Sequence, residues 1–178
     1  VALRCTERGW PIFPCHPQTK RPVIDNGLKD ASRDPAVVTK WFTRWPGAMI
    51  GVRTGAASGI FVVDCDLAED IDGVAAFKEL FPDLPETITV RTPRGGQHLY
   101  FKYPTDGTEI RNSAGKIAPG VDVRGEGGYV IAAGSRRSDG LYYEPLIDVY
   151  PDPATAPQQL IEAANCKVAP EAEPDLEQ

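Results

Sequence analysis

The sequence predicts a mixed α/β domain of the α+β kind, and three observations carry that prediction. Short apolar runs bounded by turn residues recur along the chain, as strands do. Helical stretches lie between them, one opened by Asp34-Pro35, an N-cap residue followed by proline at the first helical position. Two strand-like runs flank the turn Pro93-Arg94-Gly95-Gly96, which reads as a hairpin connection.

In order, Val1 to Arg8 reads as the end of a helix stopped by Gly9, and Trp10 to Pro14 as a short strand. His16 to Ala31 is a basic loop punctuated by proline and glycine, containing Lys20-Arg21-Pro22 and Gly27-Leu28-Lys29. The helix from Asp34-Pro35 runs to about Trp45. Its Trp41, Phe42 and Trp45 fall at helical spacing, which favours a core role over base stacking. Met49 to Arg53 and Ser58 to Asp66 are strands joined by Thr54-Gly55-Ala56-Ala57. Ile71 to Phe81 has helical periodicity. Thr87 to Thr92 and Gln97 to Tyr103 form the hairpin, and Val121 to Arg124 with Gly128 to Ala132 a second pair across Gly125-Glu126-Gly127. After Pro145 the chain is rich in proline and acid, with a short helix at Pro157 to Asn165 and linker-like composition from Val168. The division is a catalytic unit over 1–150 and an acidic tail over 151–178. Leu160, Ile161 and Ala164 share one helical face, so docking of that helix is the competing outcome.

At 178 residues the chain can bury one substantial core. No apolar run approaches the roughly 18 residues of a membrane helix, and no signal-peptide pattern opens it, which predicts a cytoplasmic protein without a membrane partner. The chain begins at Val1 within a helix and without Met, which reads as a piece of a longer polypeptide. Cys5, Cys15, Cys65 and Cys166 are scattered, and none forms a CxxC pair, so neither zinc nor a disulfide framework is expected. Cys15-His16 reads as a packed strand-end thiol beside a loop histidine rather than a ligand pair. The net charge of −6 is unevenly spread. From Ser138 onward nine acidic residues face one basic one, whereas Arg91 to Arg137 holds eight basic residues against four acidic. The middle of the chain has the local charge a polyanion site needs.

Three segments carry chemistry. In Ile60-Phe-Val-Val-Asp64-Cys-Asp66, a strand would turn Asp64 and Asp66 to the same face, where two carboxylates repel until a divalent cation holds both ionised. Hard oxygen ligands suit Mg²⁺ or Mn²⁺, which take further ligands from water and substrate phosphates. The other reading is a strand end bearing two solvated acids. Arg91 to Phe101 sets a glycine-rich basic turn, with Arg94, before His98, one of only two histidines. Backbone N–H groups there can meet phosphate oxygens, and His98 is cast as a phosphate binder. In Gly120-Val-Asp122-Val-Arg124, acid and guanidinium share a strand face, either as a surface ion pair or as a third metal carboxylate beside a phosphate-binding arginine. Glu126 reads as a solvated loop acid.

Together these segments resemble the bifunctional DNA primase/polymerase (prim-pol) family of the archaeo-eukaryotic primase superfamily. The likeness spans roughly Val1 to Pro145 in the expected order. It includes Gly9-Trp10-Pro11, Lys20-Arg21-Pro22, Gly27-Leu28-Lys29, Thr54-Gly55, Asp64 with Asp66, Gly95-Gly96-Gln97-His98, Arg111-Asn112 and Gly120-Val-Asp122-Val-Arg124. It implies an RRM-like catalytic sheet joined to an N-terminal α/β unit, with the active site in the groove between them. It also implies Asp64, Asp66 and Asp122 as a catalytic metal triad for one or two Mg²⁺ or Mn²⁺ ions, and His98 on the incoming triphosphate. One departure is Gly96, where the family often has serine, so that a hydroxyl contact to phosphate is missing.

The expected activity is template-directed nucleotidyl transfer, as DNA primase and DNA polymerase, by a two-metal mechanism. His98, Arg124, Arg94, Lys20 and Lys29 are the nucleotide-binding set. Single-stranded template, primer, and NTP or dNTP are the partners, with a helicase domain further along the same polypeptide, in a bacterial or phage-infected cell and a phage- or plasmid-type replication protein. The rivals are a catalytically silent nucleic-acid-binding replication module and a nucleotide-sugar glycosyltransferase. The latter would use a DxD pair without a third aspartate on a distant strand. A dehalogenase-type phosphatase lacks its downstream lysine and acidic pair.

Overall fold

A computed structural model of the chain describes residues 1–146 and 152–165, a mixed α/β fold that is mostly sheet with few helices. Two antiparallel sheets face each other. The smaller is built from β1 (Ile12–Cys15), β2 (Met49–Arg53) and β10 (Tyr129–Ile131), with β2 in the middle. The larger has β3 (Ile60–Cys65), β6 (Thr89–Arg91), β7 (Gln97–Lys102), β8 (Ser113–Ala118), β9 (Val121–Arg124) and β11 (Glu144–Pro145) in the order β11-β6-β7-β3-β9-β8. β4 (Leu67–Ala68) and β5 (Ile71–Asp72) pair only with each other.

Side-chain alternation on β3 explains the layering. Ile60 and Val62 point into a core shared with Ile12, Phe13, Met49 and Val52 of the small sheet. Phe61, Val63 and Cys65 point the other way, into a second core closed by Phe77 of α3 (Gly73–Leu80) and Leu160 of α4 (Gln158–Asn165). The central strand is therefore apolar on both faces until Asp64. α1 (Ala2–Glu7) and α2 (Pro35–Arg44) flank the small sheet's core. Asp34 caps α2 as expected, its Oδ1 accepting from Ala36 N–H at 2.8 Å, and Asp72 caps α3 through Ala75 N–H at 2.8 Å.

Two expectations change. Val121–Arg124 and the strand after Gly127 do not pair with each other. β9 lies in the large sheet and β10 in the small one, and the intervening glycine turn carries the chain across. Thr54 fixes that crossing, with Oγ1 donating to Gly125 O at 2.7 Å and N–H donating to Gly128 O at 3.0 Å. β8 is a strand where none was expected, since Ser-Ala-Gly-Lys-Ile-Ala has little β-propensity and forms an irregular edge. For the start of the tail, the packing follows the competing outcome of a docked helix. Residues 152–165, assigned to the tail by composition, join the folded unit. Lys102 N–H donates to Ala154 O at 2.9 Å, Ala154 N–H donates to Thr87 Oγ1 at 3.0 Å, and Leu160 is fully buried. Residues 147–151 and 166–178, with Cys166 and the linker-like stretch from Val168, lie outside the described residues.

Candidate nucleotide site

The register of the large sheet builds the site. Asp64 on β3 stands directly opposite His98 on β7 and directly opposite Asp122 on β9, so three titratable groups form a row across adjacent strands. All three point to the face that meets the small sheet. Two carboxylates opposed across an antiparallel pair repel, a cost a purely structural sheet avoids. The chain offsets it locally. Arg124, two residues along β9, places Nη2 at 2.9 Å from Asp122 Oδ2 and 3.5 Å from Asp64 Oδ2. His98 Nε2 lies 3.3 Å from Asp64 Oδ1, and Gly115 N–H donates to Asp122 Oδ1 at 3.0 Å.

Burial works against ionising Asp64, but the hydrogen bond and charge of His98, with Arg124 and Lys20, outweigh it and hold the carboxyl below its ordinary value. Asp66 goes the opposite way. Partial removal from water, and then the charges of Asp64 and Asp122, push its carboxyl up, against Lys20 and Arg124. His98 is buried, and its Nδ1 has no hydrogen-bond partner among the described residues. A buried polar atom left open is costly unless a ligand uses it.

Asp66 departs from the expected geometry in one respect. β3 ends at Cys65, so strand alternation does not itself bring Asp66 beside Asp64. Its backbone is fixed instead. Asp66 N–H donates to Gly120 O at 2.7 Å, and Gly73 N–H donates to Asp66 O at 2.9 Å. Gly96 abuts the same segment. A Cβ built there would come within 2.3 Å of Cys65 O and 3.3 Å of Asp66 Cα. Gly96 is thus a close-approach residue, and no side chain fits there without moving the end of β3.

A cleft of about 260 Å³ opens over Asp64 and His98, while Asp122 and Asp66 are not among its lining residues. Lys20, Asp64, His98 and Arg124 line it, joined by Asn112, Tyr129 and Tyr143. Tyr143 is buried, its ring centroid 5.7 Å from that of His98, and its hydroxyl is pushed up to about 12, first by burial and then by Asp64. Lys20 Nζ sits 5.9 Å from the centre of the Tyr143 ring. Its ammonium is held below its ordinary value, first by burial and then by Arg94 and Arg137, with Asp64 and Asp66 opposing. Arg94 is exposed but close enough for its charge to be felt there. Lys29, in a 3-10 turn (Gly27–Asp30), does not line the cleft.

Sequence reasoning gave no role to Tyr143, Tyr129 and Arg137, which reach the site region through tertiary contacts. It also misjudged Glu126. This side chain is half-buried, accepts from Ala56 N–H at 2.9 Å and lies 3.6 Å from Arg53 Nη2, pinning the crossing turn to the β2–β3 connection.

Among the described residues, no three acidic, histidine or cysteine side chains close on one point as a ready metal cage. The donor chemistry nevertheless fits a hard divalent cation. The oxygens are carboxylate oxygens, and the charges of Asp64 and Asp122 both weigh on Asp66, a repulsion that added positive charge relieves.

A family model for the N-terminal domain of bifunctional DNA primase/polymerases matches residues 2–159. The chain belongs to that family. Membership implies nucleotidyltransferase activity with DNA and nucleotides as substrates. No curated protein matches the chain. The match extends into α4 of this prim-pol domain, consistent with the packing of residues 152–165 on the core. Among the described residues, no helix is long and apolar enough to cross a membrane.

Proposed function

We propose that this prim-pol domain performs template-directed nucleotidyl transfer at the Asp64–His98–Asp122 row, extending a primer and starting new ones. The observation that carries the proposal is the opposition of Asp64 and Asp122 across β3 and β9, beside an unpartnered buried His98 Nδ1. The large sheet, with α3 and α4 on its far face, is our candidate for the RRM-like half, and the cleft against the small sheet for the groove of catalysis. Asp64, Asp122 and Asp66 would hold one or two Mg²⁺ or Mn²⁺ ions. Bound there, the metal supplies a lowered pKa for the attacking hydroxyl and counter-charge for the leaving pyrophosphate.

The chain's own residues do the rest. In the absence of added charge, Arg124 neutralises the two opposed carboxylates. Turned toward a nucleotide, its planar fork matches phosphate oxygens in pairs. His98 offers Nε2 to Asp64 and its open Nδ1 to a phosphate oxygen. Lys20 and Arg94 add positive charge at the mouth, and Tyr143 and Tyr129 wall off water. A single-stranded template follows the basic rim by backbone contacts and stacking. The setting we favour is a phage- or plasmid-type replication protein with a helicase region beyond this domain.

The test is primer extension with Mn²⁺ or Mg²⁺, comparing the protein with Asp64→Ala and Asp122→Ala. Both variants should lose at least about a hundredfold in rate, the scale of removing a group that acts in the transition state. Extension at the unaltered rate by folded variants would sink the proposal and leave a nucleic-acid-binding module.

A further inference from the structure

Lys20 reaches the cleft from a backbone conformation that lysine adopts only under constraint. Its φ is 63°, and among the described residues it is the one non-glycine residue with positive φ. The constraint can be traced. His16 N–H donates to Arg21 O at 2.8 Å and Lys20 N–H donates to His16 O at 2.9 Å, closing residues 16–21 into a tight loop. Tyr129 Oη, on β10, donates to Lys20 O at 3.1 Å. Ser138 N–H donates to Pro17 O at 3.1 Å from the other side. Within the loop, the His16 ring turns back on its own backbone, and Nδ1 accepts from Gln18 N–H at 3.2 Å and Thr19 N–H at 3.3 Å.

In both contacts the ring nitrogen is the acceptor. Cys15 is fully buried, its thiol pushed up to about 12 by burial, and His16 Nδ1 is committed to the loop.

We infer that His16 is a positioning residue. Through its two backbone hydrogen bonds it holds the loop in the one shape that presents the Lys20 ammonium to the phosphates of a bound nucleoside triphosphate. The inference rests on the nucleotidyl-transfer reading above for what occupies the cleft. It does not rest on any contact between His16 and substrate, because His16 lies outside the cleft lining. Short side chains with an acceptor oxygen, asparagine above all, close the same kind of turn onto the N–H two residues on.

The experiment uses the whole chain, a primed single-stranded template, Mn²⁺ and dATP. His16→Ala should raise KM for dATP about fivefold, the equivalent of about one net hydrogen bond, while kcat stays within about twofold. His16→Asn should restore KM. In a Lys20→Ala background His16→Ala should add nothing, because its effect runs through Lys20. In the ring ¹⁵N spectrum at neutral pH, His16 Nδ1 should appear unprotonated. An unchanged KM in His16→Ala, an undiminished effect on top of Lys20→Ala, or a protonated Nδ1 would each overturn the inference. If the unaltered protein incorporates no nucleotide, the proposed function fails, and calorimetric binding of dATP decides the inference by itself. A Kd about fivefold weaker in His16→Ala and recovered in His16→Asn upholds it. Equal Kd values in His16→Ala and the unaltered protein overturn it.

Discussion

Asp64 and Asp66 lie two positions apart and titrate in opposite directions. Burial of Asp64 is outweighed by His98, Arg124 and Lys20, so its carboxyl falls below 3.8; Asp66 is raised above 3.8 by desolvation and by its two acidic neighbours. The signs of their linkage to stability therefore differ. Asp64 contributes stability above 3.8, and that contribution is lost as pH falls through its lower folded value. Ionised Asp66 costs stability above its raised folded value, and the cost vanishes once the pH drops below 3.8. Asp66→Asn should thus melt higher than the unaltered protein near neutral pH in chelator. The gain should be no more than about 1 kcal/mol, given solvent screening of an exposed group, or about 2–4 °C. At about pH 3 the two melting temperatures should coincide. The same variant should lose primer extension, separating what the acid does for catalysis from what it does to the fold. A lower melting temperature near neutral pH would mean that Asp66 is held by a favourable partner instead.

The β6–β7 hairpin and the end of β3 meet through Gly96, and the contact is backbone against backbone. Gly96→Ser puts a Cβ where Cys65 O stands, so the end of β3 must yield. The expected cost is about 1–3 kcal/mol, as for other overpacked sites. Thermal melting should show a drop of about 2–4 °C for each of those kcal/mol. Primer extension should fall more than stability, because the displaced segment carries Asp66. An unchanged melting temperature with faster extension would show that the added hydroxyl fits and serves phosphate. Elements with a strong local pattern were legible in advance: the Asp34-Pro35 helix start, the apolar β3, and the hairpin before His98. Those set by partners were not. β8 pairs despite its composition because Asp122 and Val123 of β9 give its edge something to bond. β9 and β10 look like a hairpin in sequence but part company because Thr54 and Glu126 draw the turn across to the small sheet.

On the scale of the molecule, the acidic, histidine and Arg124 positions were legible because each combines a reactive group with a period-two or glycine-rich context. Lys20 was named from its basic loop, but the roles of Tyr129 and Tyr143 were not, since they converge with it from distant parts of the chain. The large sheet separates two cores, one beneath the site and one behind it. That separation predicts that the rear core can be weakened without touching chemistry. Leu160 is the deepest residue of α4, fully buried against the face opposite Asp64. Leu160→Ala should cost about 2–5 kcal/mol through lost transfer and a residual cavity. The melting temperature should fall by about 2–4 °C for each kcal/mol lost. At a temperature where the variant is fully folded, KM for dATP and the extension rate should match the unaltered protein, because no residue of α4 lines the cleft. An unaltered melting temperature would mean that α4 leaves the sheet in solution and the acidic segment behaves as a tail from 151 onward. Loss of extension in a variant that melts cooperatively would carry the active site through the sheet and make the rear core part of catalysis.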